Sequence, residues 1–161
     1  MASVSETTIH PPVNRRRALL VMSSLLPFAK RALAQANAHV STTDPLIVSF
    51  TRGASVMPGR VTLDLPKVAD SGFSVPMTVS VQSPMTADDY VKTILVVADN
   101  NPQRDVCWFY LGPRAGKAEV GSRIRLNGSQ RVVAIAQLSN GTFWSDARDI
   151  EVREAACTEP G

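Results

Sequence analysis

Histidine is nearly absent from this chain. Only His10 and His39 occur among its 161 residues, and both precede the region where regular structure is legible. The body therefore holds no imidazole, the usual base near neutral pH, which excludes a Ser-His-Asp or Cys-His nucleophile pair within it. Cysteine is as scarce. Cys107 and Cys157 stand far apart and leave no zinc-type ligand spacing. No apolar run approaches the roughly 20 residues that a membrane-spanning helix needs. Charged residues make up an ordinary 19%, so disorder is not the default and one compact domain is expected. This inventory predicts no enzyme activity, no metal and no cofactor.

The surplus of positive charge lies at one end. Residues 15 to 34 run Arg15-Arg16-Arg17, then an apolar stretch from Ala18 to Ala29, then Lys30-Arg31-Ala32-Leu33-Ala34. A basic start, an apolar middle and an Ala-x-Ala site make a secretory signal. The paired arginines before Ala18-Leu19-Leu20 are similar to a twin-arginine signal. Residues 1–36 are therefore read as an export leader and the periplasm as the destination, with cleavage after Ala34, Ala36 or Ala38. The whole chain carries +3, but the leader takes five of its 17 basic and one of its 14 acidic side chains, leaving about −1. Nucleic acid loses its support as a partner.

Residues 37–58 read as an N-terminal segment with one short helix. Asp44 is placed to cap it and Pro45 to open it, ahead of the apolar stretch Leu46 to Phe50. After Pro58-Gly59 the period becomes two. Val61, Leu63 and Leu65 alternate with polar neighbours, as do Phe73, Val75, Met77, Val79 and Val81. Pro76 cannot donate to a ladder and suggests a sheet edge or a bulge. Val91 to Ala98 is mostly apolar and reads as a more deeply buried strand. Past the turn Asp99-Asn100-Asn101-Pro102 come a strand from Val106 to Leu111 and an alternating one from Ala118 to Leu126. Asn127-Gly128 and Ser139-Asn140-Gly141 are hairpin signals leading into Gln130 to Leu138 and Thr142 to Ser145. A last strand holds Ile150 and Val152. About seven short strands over 59–153 predict an all-β, immunoglobulin-like antiparallel sandwich. Residues 154–161 follow as an exposed, mobile arm.

The two cysteines differ in setting. Cys107 shares parity with Phe109 and Leu111 and reads as a small core filler. Cys157 lies in the arm, where an exposed thiol in an oxidising compartment is a liability unless it is used. The residues alone leave three uses open: a disulfide to Cys107, a link to another chain, or a covalent carrier site. Phe143 and Trp144 read as core and face residues, and Arg123, Arg125 and Arg131 as a solvated stripe. Asp88-Asp89 reads as a loop or helical-turn cap without metal partners.

A series of stretches then carries a family likeness. They are Val61-Thr62-Leu63-Asp64-Leu65-Pro66, Asp70-Ser71-Gly72 with Val75-Pro76, and Val79-Ser80-Val81-Gln82-Ser83-Pro84-Met85-Thr86. Asn101-Pro102, Ser122-Arg123-Ile124-Arg125-Leu126, Val132-Val133-Ala134-Ile135-Ala136 and Leu138-Ser139-Asn140-Gly141-Thr142-Phe143-Trp144 complete it. In this order they resemble the SoxY family of sulfur-compound carriers. The resemblance implies a heterodimer with a SoxZ-like β-protein that meets periplasmic sulfur-oxidation enzymes. It also implies that Cys157 carries the substrate covalently, as the cysteine of a Gly-Gly-Cys-Gly-Gly arm does in that family. A thiolate suits the task because it is both nucleophile and leaving group.

Here the arm reads Ala155-Ala156-Cys157-Thr158-Glu159, similar to a SoxY-related group with Ala-Ala-Cys-Ile-Glu. Glycine's narrow profile and freedom are missing. Glu154 and Glu159 disfavour a thiolate, and Arg153 partly offsets them. The alternative is an adaptor or structural sandwich whose tail cysteine forms a disulfide.

Overall fold

The computed structural model describes residues 44–156. The leader, His10, His39, Cys157, Thr158 and Glu159 lie outside the described residues. Period-two runs become strands where one parity can be buried. The elements are α1 (Pro45–Thr51), β1 (Val56–Pro58), β2 (Val61–Asp64), β3 (Val68–Ser71), β4 (Val75–Val81), β5 (Val91–Ala98), β6 (Asp105–Tyr110), β7 (Glu119–Ile124), β8 (Gln130–Leu138) and β9 (Phe143–Glu154). One sheet is ordered β1-β9-β8-β5-β6, with β3 also joined to β9, and the other is β2-β4-β7. Their facing sides bury Leu63, Val79, Ile94, Leu126, Val132 and Leu138 among others. The result is the two-sheet sandwich that the alternation predicts.

Helix α1 forms where the caps place it. The Asp44 carboxylate accepts the Leu46 amide at 3.0 Å, and Pro45 opens the first turn. Asp44 also pairs with Arg104 in the β5–β6 turn. Burial alone raises this carboxyl, but the bonds from Arg104 and Leu46 outweigh it and hold the pKa below its usual value. The helix lays Ile47 on the outer face of the large sheet, against Leu95, Val97, Val133, Ile135 and Phe143. That cover explains why β5 and β8 are apolar on both faces.

Several expectations change. Strands β1 and β3 are three and four residues long, too short to show a period, and both run parallel to β9. The sandwich therefore begins before residue 59. Phe73 leaves its alternating series and stands 49% exposed in the turn before β4. Pro76 lies in a central strand, but β2 ends opposite Thr78, so only β7 flanks that position. Asn127-Gly128 is not a hairpin. Gly128 takes the positive φ of such a turn (83°), yet the chain crosses there from β4's neighbour β7 to the other sheet. The two last strands are one, because β9 runs unbroken for 12 residues.

Asp146 lies within that strand, level with Ala134 of β8. It is 8% exposed, and its Oδ2 accepts the amide of Leu63 at 3.0 Å, on the free edge of β2. Its Oδ1 accepts the Ala147 amide at 2.9 Å and an Arg148 guanidinium N–H at 2.7 Å. One carboxylate thus satisfies an edge amide of the small sheet from within the large one. Asp146→Ala leaves the Leu63 amide buried and unpaired, and is expected to cost about 2–3 kcal/mol in urea unfolding. Asp146→Asn keeps an acceptor and should lose only about 1 kcal/mol. Equal, small losses for both would show that the bond contributes little.

Candidate functional site

Strand β9 outlives its pairing with β8 and finds new partners. Its last residues pair with β3 as Val68 with Glu151, Ala69 with Val152 and Ser71 with Glu154. On the other side, Ser129 Oγ accepts the Val152 amide at 2.9 Å and donates to the Val152 carbonyl at 3.3 Å. Arg153 pairs with Asp70 at 2.9 Å on the surface.

Beyond the strand three backbone bonds follow in sequence. The Gly72 amide donates to Glu154 O at 2.7 Å, the Leu126 amide to Gly72 O at 2.9 Å, and the Ala156 amide to Leu126 O at 3.1 Å. Ala155 is half-buried and Ala156 is 9% exposed. The arm expected to be free from Glu154 is thus held through Ala156. Cys157 follows one Cα step later, about 3.8 Å away by covalent geometry.

The loop that carries Leu126 is itself fixed. Asn101 Oδ1 accepts the Asn127 amide at 2.8 Å and the Gln130 side-chain amide at 3.0 Å, while Asn101 Nδ2 donates to Arg125 O at 2.8 Å. None of Gly72, Asn101, Leu126 or Ser129 stood out as a site residue in the sequence. Gly72, Asn101 and Leu126 did fall within stretches that carried the family likeness, which was the available signal.

Cys107 is a free thiol on β6, opposite Val96 and packed against the inner core. Its strand is an edge, so the filler reading holds with only partial burial. Desolvation pushes its pKa up. Three strand spacings separate β6 from β9, and Glu154 lies eight residues past the residue level with Cys107. At about 4.8 Å per spacing and 3.3 Å per residue, the two offsets of about 14 and 26 Å put the separation at about 30 Å.

The other candidates serve packing. Phe143 lies beneath α1, and Trp144 receives the Arg60 guanidinium at 5.4 Å from its ring centroid. Arg123 is not merely solvated, since it donates to Ser74 Oγ at 2.6 Å and Ser74 O at 3.0 Å. Asp89 closes a turn on Thr86 Oγ1 at 3.1 Å. Among the described residues no group of three or more His, Cys, Asp and Glu side chains is placed to hold a metal ion.

The two-sheet sandwich has solved counterparts. The sulfur carrier protein SoxY from Chlorobium limicola f thiosulfatophilum matches with a TM-score of 0.58 and 23% identity, over 70% of this chain and 92% of that one. Superoxide reductase (neelaredoxin) from Ignicoccus hospitalis matches at 0.53 and 16%, over 58% and 80%. Superoxide reductase from Nanoarchaeum equitans matches at 0.51 and 9%, over 60% and 100%. At these identities the likenesses show the fold. No curated protein matches. The family model for "Sulfur oxidation protein SoxY" matches residues 47–157, a span that ends on Cys157. The chain belongs to the SoxY family.

With its pKa raised, Cys107 holds less thiolate at neutral pH than an ordinary thiol. In a Cys157→Ser protein, alkylation by iodoacetamide at pH 7 should run at least about 10-fold slower than in urea, and quicken as pH passes the usual thiol range near 8.5. A native rate equal to the unfolded one would contradict the packing of this side chain.

Proposed function

We propose that this protein is a non-catalytic carrier of the periplasm that holds a sulfur compound covalently on Cys157 and presents it to partner enzymes. The observation that carries this reading is the anchored backbone, fixed through Ala156 with the cysteine next in line, in a chain of the SoxY family. Loading is an exchange at sulfur. The Cys157 thiolate attacks a sulfur atom of the donor, an S–S bond forms, and the donor's leaving group departs with the electron pair. Unloading is the same displacement by an acceptor, so neither direction needs an oxidant.

The adaptor reading with a Cys107–Cys157 disulfide fits less well. A disulfide needs Cα atoms within about 7 Å, against the separation of about 30 Å between Cys107 and the end of β9. The twin-arginine leader over 1–36 and a SoxZ-like partner complete the proposal. The open edge of β6, with Trp108 stacked on Tyr110 at 6.5 Å, leaves room for a second β-protein.

Cys157→Ser is expected to abolish sulfur transfer with the melting temperature unchanged. Cys107→Ala should keep function at a cost of about 1 kcal/mol in stability. The same preparations, taken from the periplasm, should begin between Gln35 and His39 and bring down a SoxZ-like β-protein. Equal losses of several kcal/mol in both cysteine variants would mean that the sulfurs are bonded to each other, and the carrier reading fails.

A further inference from the structure

Gly72 is glycine for space and not for backbone freedom. It is absent from the glycines with positive φ, yet a Cβ there would lie 2.2 Å from Leu126 O and 3.1 Å from both Ala156 N and Val152 Cγ1. The first of these contacts is with backbone, which has little room to give. That carbonyl oxygen is also the acceptor of the Ala156 amide, while the Gly72 peptide bonds Glu154 on one side and Leu126 on the other. Any side chain at position 72 displaces the group that fixes the last described residue.

We propose that Gly72 is a positioning residue of the carrier arm: by leaving room for Leu126 O it closes a backbone clamp on Ala156 and sets the arm's pivot directly before Cys157. The functional meaning of the clamp rests on the carrier reading, while its geometry stands on residues 72, 126, 154 and 156. With the clamp closed, the cysteine is one Cα step beyond a fixed point. Opening it releases Ala155 and Ala156 and adds two residues, about 7 Å of reach. The clamp therefore decides how near a partner's site must come to collect the cargo. The Asn101 side chain, bonded to Arg125 O and to the Gln130 amide, braces the Leu126 loop against such opening.

The test is amide hydrogen exchange on the whole protein, with a nitroxide on Cys157 in a Cys107→Ala background. In the parent the Ala156 amide should exchange at least about 100-fold more slowly than an unprotected one, and Gly72→Ala should bring it within about 3-fold. Nitroxide mobility should rise in Gly72→Ala. It should rise equally in Ala156→Pro, which removes the donor without touching Gly72 and carries the test if Gly72→Ala fails to fold. An unprotected Ala156 amide in the parent, or unchanged mobility in both variants, overturns the clamp. Tetrathionate separates the two readings, since a thiolate attacks it, forms an S–S bond and expels thiosulfate. An adduct on Cys157 with an unprotected Ala156 amide overturns the clamp alone. No adduct with a protected amide overturns the carrier reading and with it the clamp's role in delivery.

Discussion

The carboxylate of Asp146 accepts the Leu63 amide from the edge of one sheet while sitting inside the longest strand of the other. That bond ties the edge of the small sheet to the large one. Strand β9 itself is kept continuous by its antiparallel ladder to β8, unbroken from Phe143 to Ile150. A continuous β9 then runs past the end of β8 and must find other partners for its backbone, because buried amides and carbonyls cannot be left unpaired. Lys67 to Gly72 on one side, and Ser129 and Leu126 on the other, supply them. The anchored position of Ala156 is thus the far consequence of a strand that outruns its neighbour.

Period-two patterning made β4 and β7 legible, because each turns one parity to the opposite sheet, and a near-continuous apolar run made β5 legible, because it is buried on both faces. The cap and proline of α1 were equally legible, since they act within a few residues of each other. What failed to show depends on partners distant in sequence. Strands β1 and β3 exist only as additions to β9. The Asn127-Gly128 turn has local hairpin chemistry, but Asn101 and Gln130 tie it across the end of the sandwich. Asp146 did not stand out in the sequence because its acceptor role needs Leu63, 83 positions away. Phe73 lost its parity because Gly72 ends β3 in a turn.

For the site, the sequence singled out Cys157 but placed the start of the arm too early. Ala155 and Ala156 were grouped with it as free residues, and the structure gives them to the body. That assignment accounts for an arm built from alanine instead of glycine. Ala156 is buried, so it needs a small side chain but not unusual backbone freedom. The local charge is also more settled than the sequence suggested. Arg153 is engaged with Asp70, so it does not turn its charge to the cysteine alone.

The central claim is that Cys157 carries sulfur as an exchangeable adduct. Intact-mass and peptide mass spectrometry of the protein purified from the periplasm of its own cells, without reductant, tests it most directly. The account expects added sulfur on the peptide that holds Cys157, removed by a mild thiol, with Cys107 unmodified. A permanently unmodified Cys157, or one found only in a disulfide with Cys107, would contradict it.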